Sequence, residues 1–167
     1  LRSAVPLIRA FLDRGERVII THLTPAGRRG SEAAFGQEIA AGDVAVRYLP
    51  LELAGAWRSF FRNCRPRLGL AMEIEIWPVM IEEARLAGVP LWLANSQIPE
   101  RSFARACRWL PWIGHPVRGV AGVLAKSRIM AERFRALGAP NVHVVGELRF
   151  DQPIPARLTE AAARLLD

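Results

Sequence analysis

Two glutamates, Glu73 and Glu75, follow a short apolar run and precede Ile76-Trp-Pro78. In an extended segment, side chains two positions apart point the same way. Two carboxylates converging at the end of a buried strand are costly unless they are paired or working. One reading is a general base, or a carboxylate that grips a cationic group. The other is a salt bridge to a nearby arginine, with a favourable charge at the start of the next helix. Three more polar clusters follow apolar runs: Leu23-Thr-Pro-Ala-Gly-Arg-Arg-Gly30, Asn95-Ser-Gln97 with Arg101-Ser102, and Lys126-Ser127. Thr24 to Gly27 can turn into a helix whose backbone N–H groups, beside Arg28 and Arg29, hold an anion. It also reads as a surface turn with solvated arginines.

All but one of the 23 basic side chains are arginine, the exception being Lys126, and the net charge is +7. Base composition accounts for much of that preference, so location is the better guide. Residues 101–131 hold six basic side chains and no Asp or Glu. Arg105, Arg108, Trp109, Trp112 and Arg118 lie in this stretch. Arginines interleaved with tryptophans suit an anionic membrane surface, where each basic residue adds ~1 kcal/mol. Nucleic acid is the rival polyanion. A third reading puts both tryptophans in the core and the arginines on a solvated face.

Several chemistries are excluded. No GxxxxGK[ST] occurs, and no GxGxxG follows a strand, so neither a Walker loop nor a dinucleotide fingerprint is present. Cys64, Cys107 and the histidines His22, His115 and His143 lack metal-ligand spacing. The two cysteines read as free thiols of a reducing compartment. No metal or cofactor is expected. No apolar stretch approaches the ~20 residues of a spanning helix. Arg9, Asp13 and Arg14 break any signal-peptide pattern. With 51% hydrophobic and 23% charged residues, the composition is that of a globular domain.

The elements that must position these clusters alternate. Apolar runs at 17–21, 44–49, 67–72, 89–94, 119–125 and 141–145 read as strands. They lack clean alternation, as parallel strands buried on both faces do. Helical patterns fill 1–14, 31–40, 54–63, 77–87 and 127–137. Pro78 suits a first turn, and Gly88 and Gly138 suit helix stops. Pro111, Gly114 and Pro116 predict that no single long helix covers the region from the loop at 97–103 up to Gly119. The sum is a Rossmann-like, doubly wound α/β sheet over residues 1–167, with every polar cluster at the carboxyl edge of the strands. Both ends fall inside amphipathic helix patterns, so a piece of a longer protein is expected.

At Met72-Glu-Ile-Glu-Ile-Trp-Pro78 the sequence resembles the Kdo transferases, which attach 3-deoxy-D-manno-octulosonic acid (Kdo) to a lipid A precursor. That family carries Glu-x-Glu-Leu/Phe-Trp-Pro after a central strand. Thr21-His-Leu-Thr-Pro-Ala-Gly27 resembles its Thr-Pro-x-Gly segment, and Arg47-Tyr-Leu-Pro-Leu51 its Tyr-Leu-Pro-x-Asp segment. Asn95 to Ser102 is similar to its Asn-Ala-Arg-Leu-Ser-x-Arg-Ser loop. Phe134-Arg-Ala-Leu-Gly-Ala139 and Gly146-Glu-Leu-Arg-Phe-Asp151 resemble its Arg-Phe-x-x-Leu-Gly-Ala and Gly-Asn-Leu-Lys-Phe-Asp segments. The segments keep one order along nearly the whole chain. Val79 in place of Asn, Gln97-Ile-Pro99 in place of Arg-Leu-Ser, Glu147 in place of Asn and Glu52 near the Asp place mark a divergent branch.

The resemblance implies the N-terminal, acceptor-binding half of a GT-B glycosyltransferase. The donor, CMP-Kdo, would bind mainly to a C-terminal domain, and an N-terminal hydrophobic segment would tie the protein to the cytoplasmic face of the bacterial inner membrane. It implies no metal, and roles for Glu73 and Glu75 in catalysis. It implies substrate contact by Thr24, Gly27, Asn95, Arg101 and Ser102. The family's proposed base, the glutamate of a Ser-Val-Gly-Glu motif, would come directly before Leu1. The partners are the lipid A precursor, CMP-Kdo and an anionic membrane, and nucleic acid is not expected. The alternative is a non-catalytic basic domain that binds polyanions.

Overall fold

In the computed structural model of the chain, the described residues are 2–73, 75–113 and 117–151. A 3-10 turn at Arg2–Ala4 leads into α1 (Val5–Leu12) and β1 (Val18–His22). Then come α2 (Pro25–Ala34), α3 (Gly36–Ala41), β2 (Val44–Tyr48), α4 (Ala54–Cys64), β3 (Gly69–Met72), α5 (Pro78–Leu86) and β4 (Leu91–Ser96). The chain continues through α6 (Glu100–Ile113), β5 (Gly122–Ala125), α7 (Arg128–Ala136) and β6 (Val142–Val144) to a 3-10 turn at Leu148–Asp151. This is the α/β architecture expected of a Rossmann-like domain. Every ladder is parallel, so within each sheet the strands end at one edge.

The ladders fall into two groups, β1-β2 and β3-β4-β5-β6. Among the described residues, no ladder joins β1 to β3. Side chains span the gap instead: Arg67 reaches Glu16 at 3.3 Å, and the Ser3 hydroxyl donates to Glu73 at 2.9 Å. In the larger group each strand pairs with the next in sequence. Right-handed crossovers then bring every connecting helix to one face. The main core confirms it: Trp57 and Phe61 of α4, Met80 and Ile81 of α5, and Phe134 of α7 meet Leu91, Leu93 and Val123. Phe103 and Cys107 of α6 pack against the same core. A smaller core holds Ile8, Phe35, Val44 and Val46 on the β1-β2 side. On the other face of the larger group, Trp92 lies over Gly122, where an added Cβ would come within 2.4 Å of the indole.

Three expectations need correction. The helix placed at 31–40 begins at Pro25 and is interrupted at Phe35. Thr24 caps it, accepting from the Gly27 N–H at 3.2 Å, and Pro25 occupies the first position, where its missing N–H costs nothing. The loop expected at 97–103 is shorter, because the 14-residue α6 begins at Glu100 and passes through Pro111, while residues 117–119 form a turn, so no single helix covers the region up to Gly119. Within the helix Pro111 withholds one backbone donor, the one that would reach the Cys107 carbonyl. The segment carrying Glu73 and Glu75 is not extended, because Glu73 adopts φ +64°.

Candidate functional site

The carboxyl edge of β3, β4 and β5 gathers a buried polar cluster. Glu73 directly follows β3, Asn95 lies near the end of β4, and Lys126 directly follows β5. Glu73 accepts from Ser3 and, at 3.5 Å, from the Asn95 amide. The Lys126 ammonium lies 2.8 Å from Glu147 and 3.9 Å from Glu73, with its side chain only 9% exposed. The Asn95 oxygen accepts from the Leu148 N–H at 3.2 Å. One cluster therefore joins the first residues of the chain, three strand ends and the segment after β6. A lysine is the cation that fits: its compact ammonium lies between two carboxylates, where a guanidinium fork demands a plane of space.

The backbone beneath this cluster is held in an unusual shape. Glu73 and Asn95 both take positive φ, +64° and +52°, on adjacent strands. For residues with a Cβ this region costs of order 1–2 kcal/mol each. The Glu73 N–H donates to the Ala94 carbonyl, and the Glu73 carbonyl accepts from the Gln97 N–H. The β4–β5 register slips between Ala94 and Ser96, which is how Asn95 is turned out of the ladder. Such strain is retained at sites where side-chain direction matters.

Glu75 belongs to a different arrangement. Its carboxylate accepts from the Trp77 indole N–H, so the two glutamates share no partner among the described residues. Trp77 stands at the N-cap of α5 without a side-chain cap of its own. Glu52 supplies that cap from a distance, accepting from the Val79 N–H at 2.7 Å and from the buried Trp57 indole at 2.8 Å. The carboxylate near the Asp place of the Tyr-Leu-Pro segment therefore fixes the turn that carries Glu75.

Thr24 and Gly27 follow β1, at the carboxyl edge of the β1-β2 pair. A Cβ on Gly27 would come 2.9 Å from His22 Nδ1, so this position stays a glycine to let α2 approach β1. His22 Nε2 is 2.7 Å from the hydroxyl of the fully buried Ser31. Burial is the main cause that lowers the His22 pKa below its ordinary 6.5, and the neighbouring Glu32 partly opposes it. Arg28 pairs with Glu32 and lies over the Tyr48 ring.

Arg101 and Ser102 form the first turn of α6, with Arg101 exposed and Ser102 half-buried. Arg101, Arg105 and Arg108 recur at helical spacing and are all exposed, opposite the inward-facing Phe103 and Cys107. None of the three has an ion pair among the described residues. Trp109 is 50% exposed, so it is not a core residue. The Trp112 side chain lies outside the described residues. Arg118 is exposed before β5. Arg133 fixes the start of α6 through Glu100, the Ile98 carbonyl at 2.8 Å and the Phe103 ring.

Sequence reasoning gave no role to Ser3, and none to Lys126 beyond its place at the strand edge. The available signal was composition: one lysine in an arginine-rich chain. Among the described residues no group of His, Cys, Asp and Glu is placed to hold a metal. No helix among them is long and apolar enough to cross a membrane.

Comparison with known proteins adds a specific likeness. A family profile described as 3-Deoxy-D-manno-octulosonic-acid transferase (kdotransferase) matches residues 1–152. The chain is 37% identical to the 3-deoxy-D-manno-octulosonic acid transferase of Bordetella pertussis over 158 residues, 92% of this chain and 36% of that protein. It is 28% identical to the Haemophilus influenzae protein of the same name over 153 residues, 89% of this chain and 35% of that one. The Rickettsia typhi protein of that name is 26% identical over 104 residues, 62% of this chain and 22% of its own length. The chain thus spans about a third of the length of the first two relatives.

Proposed function

The chain belongs to the 3-deoxy-D-manno-octulosonic-acid transferase family, and from that premise we propose that its polypeptide transfers Kdo from CMP-Kdo to a lipid A precursor. Residues 1–167 form the acceptor-binding half of a GT-B enzyme in this reading, and the donor is held mainly by a further domain. A hydroxyl oxygen of the acceptor attacks the anomeric carbon of Kdo. The bond from that carbon to the CMP phosphate breaks, and its electron pair leaves with CMP. A carboxylate takes the hydroxyl proton.

The observation that carries this reading is the Glu73–Lys126–Glu147 cluster at the strand edge, with strained backbone at Glu73 and Asn95. Glu73 is the acceptor-facing carboxylate in this scheme, and Glu75 holds the turn through Trp77. The base, an acid directly before Leu1, joins the same site, a placement supported by the Ser3–Glu73 hydrogen bond. Thr24, Gly27, Arg101 and Ser102 line the acceptor's approach. The exposed stripe of Arg101, Arg105 and Arg108, with Trp109, Trp112 and Arg118, meets anionic lipid on the cytoplasmic face of the inner membrane. The relatives named above are transferases by name, which favours this reading over a polyanion-binding domain.

The test is Glu73→Gln and Lys126→Met in the full-length polypeptide. Each is expected to lower kcat roughly 10²-fold or more. Transfer at the wild-type rate in both variants would remove the cluster from the mechanism.

A further inference from the structure

At the opposite edge of the strands, a cavity of about 410 Å³ opens between the C-terminal ends of α4 and α5 and the starts of β3 and β4. Its walls include Arg58, Arg62, Arg65 and Arg67, with the largely buried Phe61 and Val89 also lining it. We propose that this pocket binds a phosphate-bearing anion, either a soluble phosphate ester or a lipid headgroup.

The charge inventory points there. Arg58 is occupied structurally: it grips the buried Glu83 through two hydrogen bonds, at 2.8 and 3.1 Å. Arg67 reaches Glu16 at 3.3 Å. Arg62 and Arg65 have no carboxylate partner among the described residues; the Arg65 Nε donates only to the Arg62 carbonyl, at 3.4 Å. Two uncompensated guanidinium groups therefore share one concave wall. Their planar forks match phosphate oxygens in pairs. The cavity volume is in the range of small-molecule sites.

The backbone gives an independent reason. Arg65 caps α4 at φ +45°, ψ +53°, the left-handed conformation that glycine fills in most helix stops. It also precedes Pro66, whose ring disfavours such compact backbone. A glycine would serve the turn with less strain. An arginine stands where the turn itself does not call for one, and it lines the pocket.

The experiment titrates the full-length polypeptide with inorganic pyrophosphate by calorimetry. In parallel it measures sedimentation with phosphatidylcholine vesicles, plain or doped with phosphatidic acid. Arg62→Ala/Arg65→Ala is expected to weaken binding on the order of tenfold or more. Arg14→Ala/Arg17→Ala, which removes two exposed arginines outside the pocket, is expected to leave it unchanged. Arg65→Gly separates binding from folding: it should raise the melting temperature by relieving the turn while weakening the anion. Loss in the pyrophosphate arm identifies a soluble ligand, and loss in the doped-vesicle arm alone identifies a headgroup. Wild-type binding by Arg62→Ala/Arg65→Ala in both arms, or an equal loss in Arg14→Ala/Arg17→Ala, would overturn the proposal.

Discussion

His22 gives the clearest pH signature at the scale of single residues. Its folded pKa lies below the ordinary 6.5 chiefly because the ring is desolvated beside α2. The unfolded chain therefore binds a proton more readily than the folded one. Its contribution to stability is complete above 6.5 and declines as pH falls from there through the lower folded value. Chemical denaturation across this range should show the decline, and His22→Gln should flatten it. An unchanged slope in the variant would assign the effect to another group. The same scale shows where sequence reading runs out. Glu73 and Lys126 were legible as polar residues following apolar runs. Ser3 was not, because it meets Glu73 across 70 residues of chain. Nor was the separation of Glu73 from Glu75, which depends on a backbone angle that residue spacing does not reveal.

Among the elements, α6 was the least legible. Pro111, Gly114 and Pro116 argued against one helix up to Gly119, yet the helix runs through Pro111 among the described residues. Phe103 and Cys107 hold one side to the core, and Arg133 fixes its beginning. The opposite side is left to charge. Replacing Arg101, Arg105 and Arg108 together with glutamate should abolish vesicle binding that depends on anionic lipid. At ~1 kcal/mol per basic residue, removing the three positive charges alone predicts on the order of a hundredfold loss. Helix content by circular dichroism should stay unchanged, since all three side chains are exposed. Retained vesicle binding would move the membrane contact elsewhere. The strands, by contrast, were all found from their apolar runs, with boundaries displaced by up to a few residues.

For the whole molecule, two cores of unequal size share the chain. The β3–β6 side has seventeen buried hydrophobic residues in its cluster and the β1-β2 side four, among the described residues. Burial of a large apolar side chain contributes about 1.5–3 kcal/mol, so the two sides should differ in resistance to opening. Hydrogen exchange should therefore show β1 and β2 amides exchanging through a local opening of lower free energy than β4 and β5. Uniform protection across all four strands would mean that the side-chain bridges from Glu16 and Ser3 couple the cores more tightly than their number implies. The alternation of strands and helices was enough to foresee the sheet. It was not enough to foresee that, among the described residues, no ladder joins β1 to β3, which depends on how two edges meet.

The order of the larger sheet also bears on how the protein is made. Because β3, β4, β5 and β6 pair in the order they occur, each new strand emerging from the ribosome meets an edge that is already exposed and waiting. Its helix closes over the core of the preceding pair, with no long loop to be drawn in from a distant part of the chain. Growth of this sheet can keep pace with translation, and the polar cluster is complete once the segment after β6 brings Glu147 to Lys126 and the Leu148 N–H to Asn95. The site is then among the last parts of the domain to be completed.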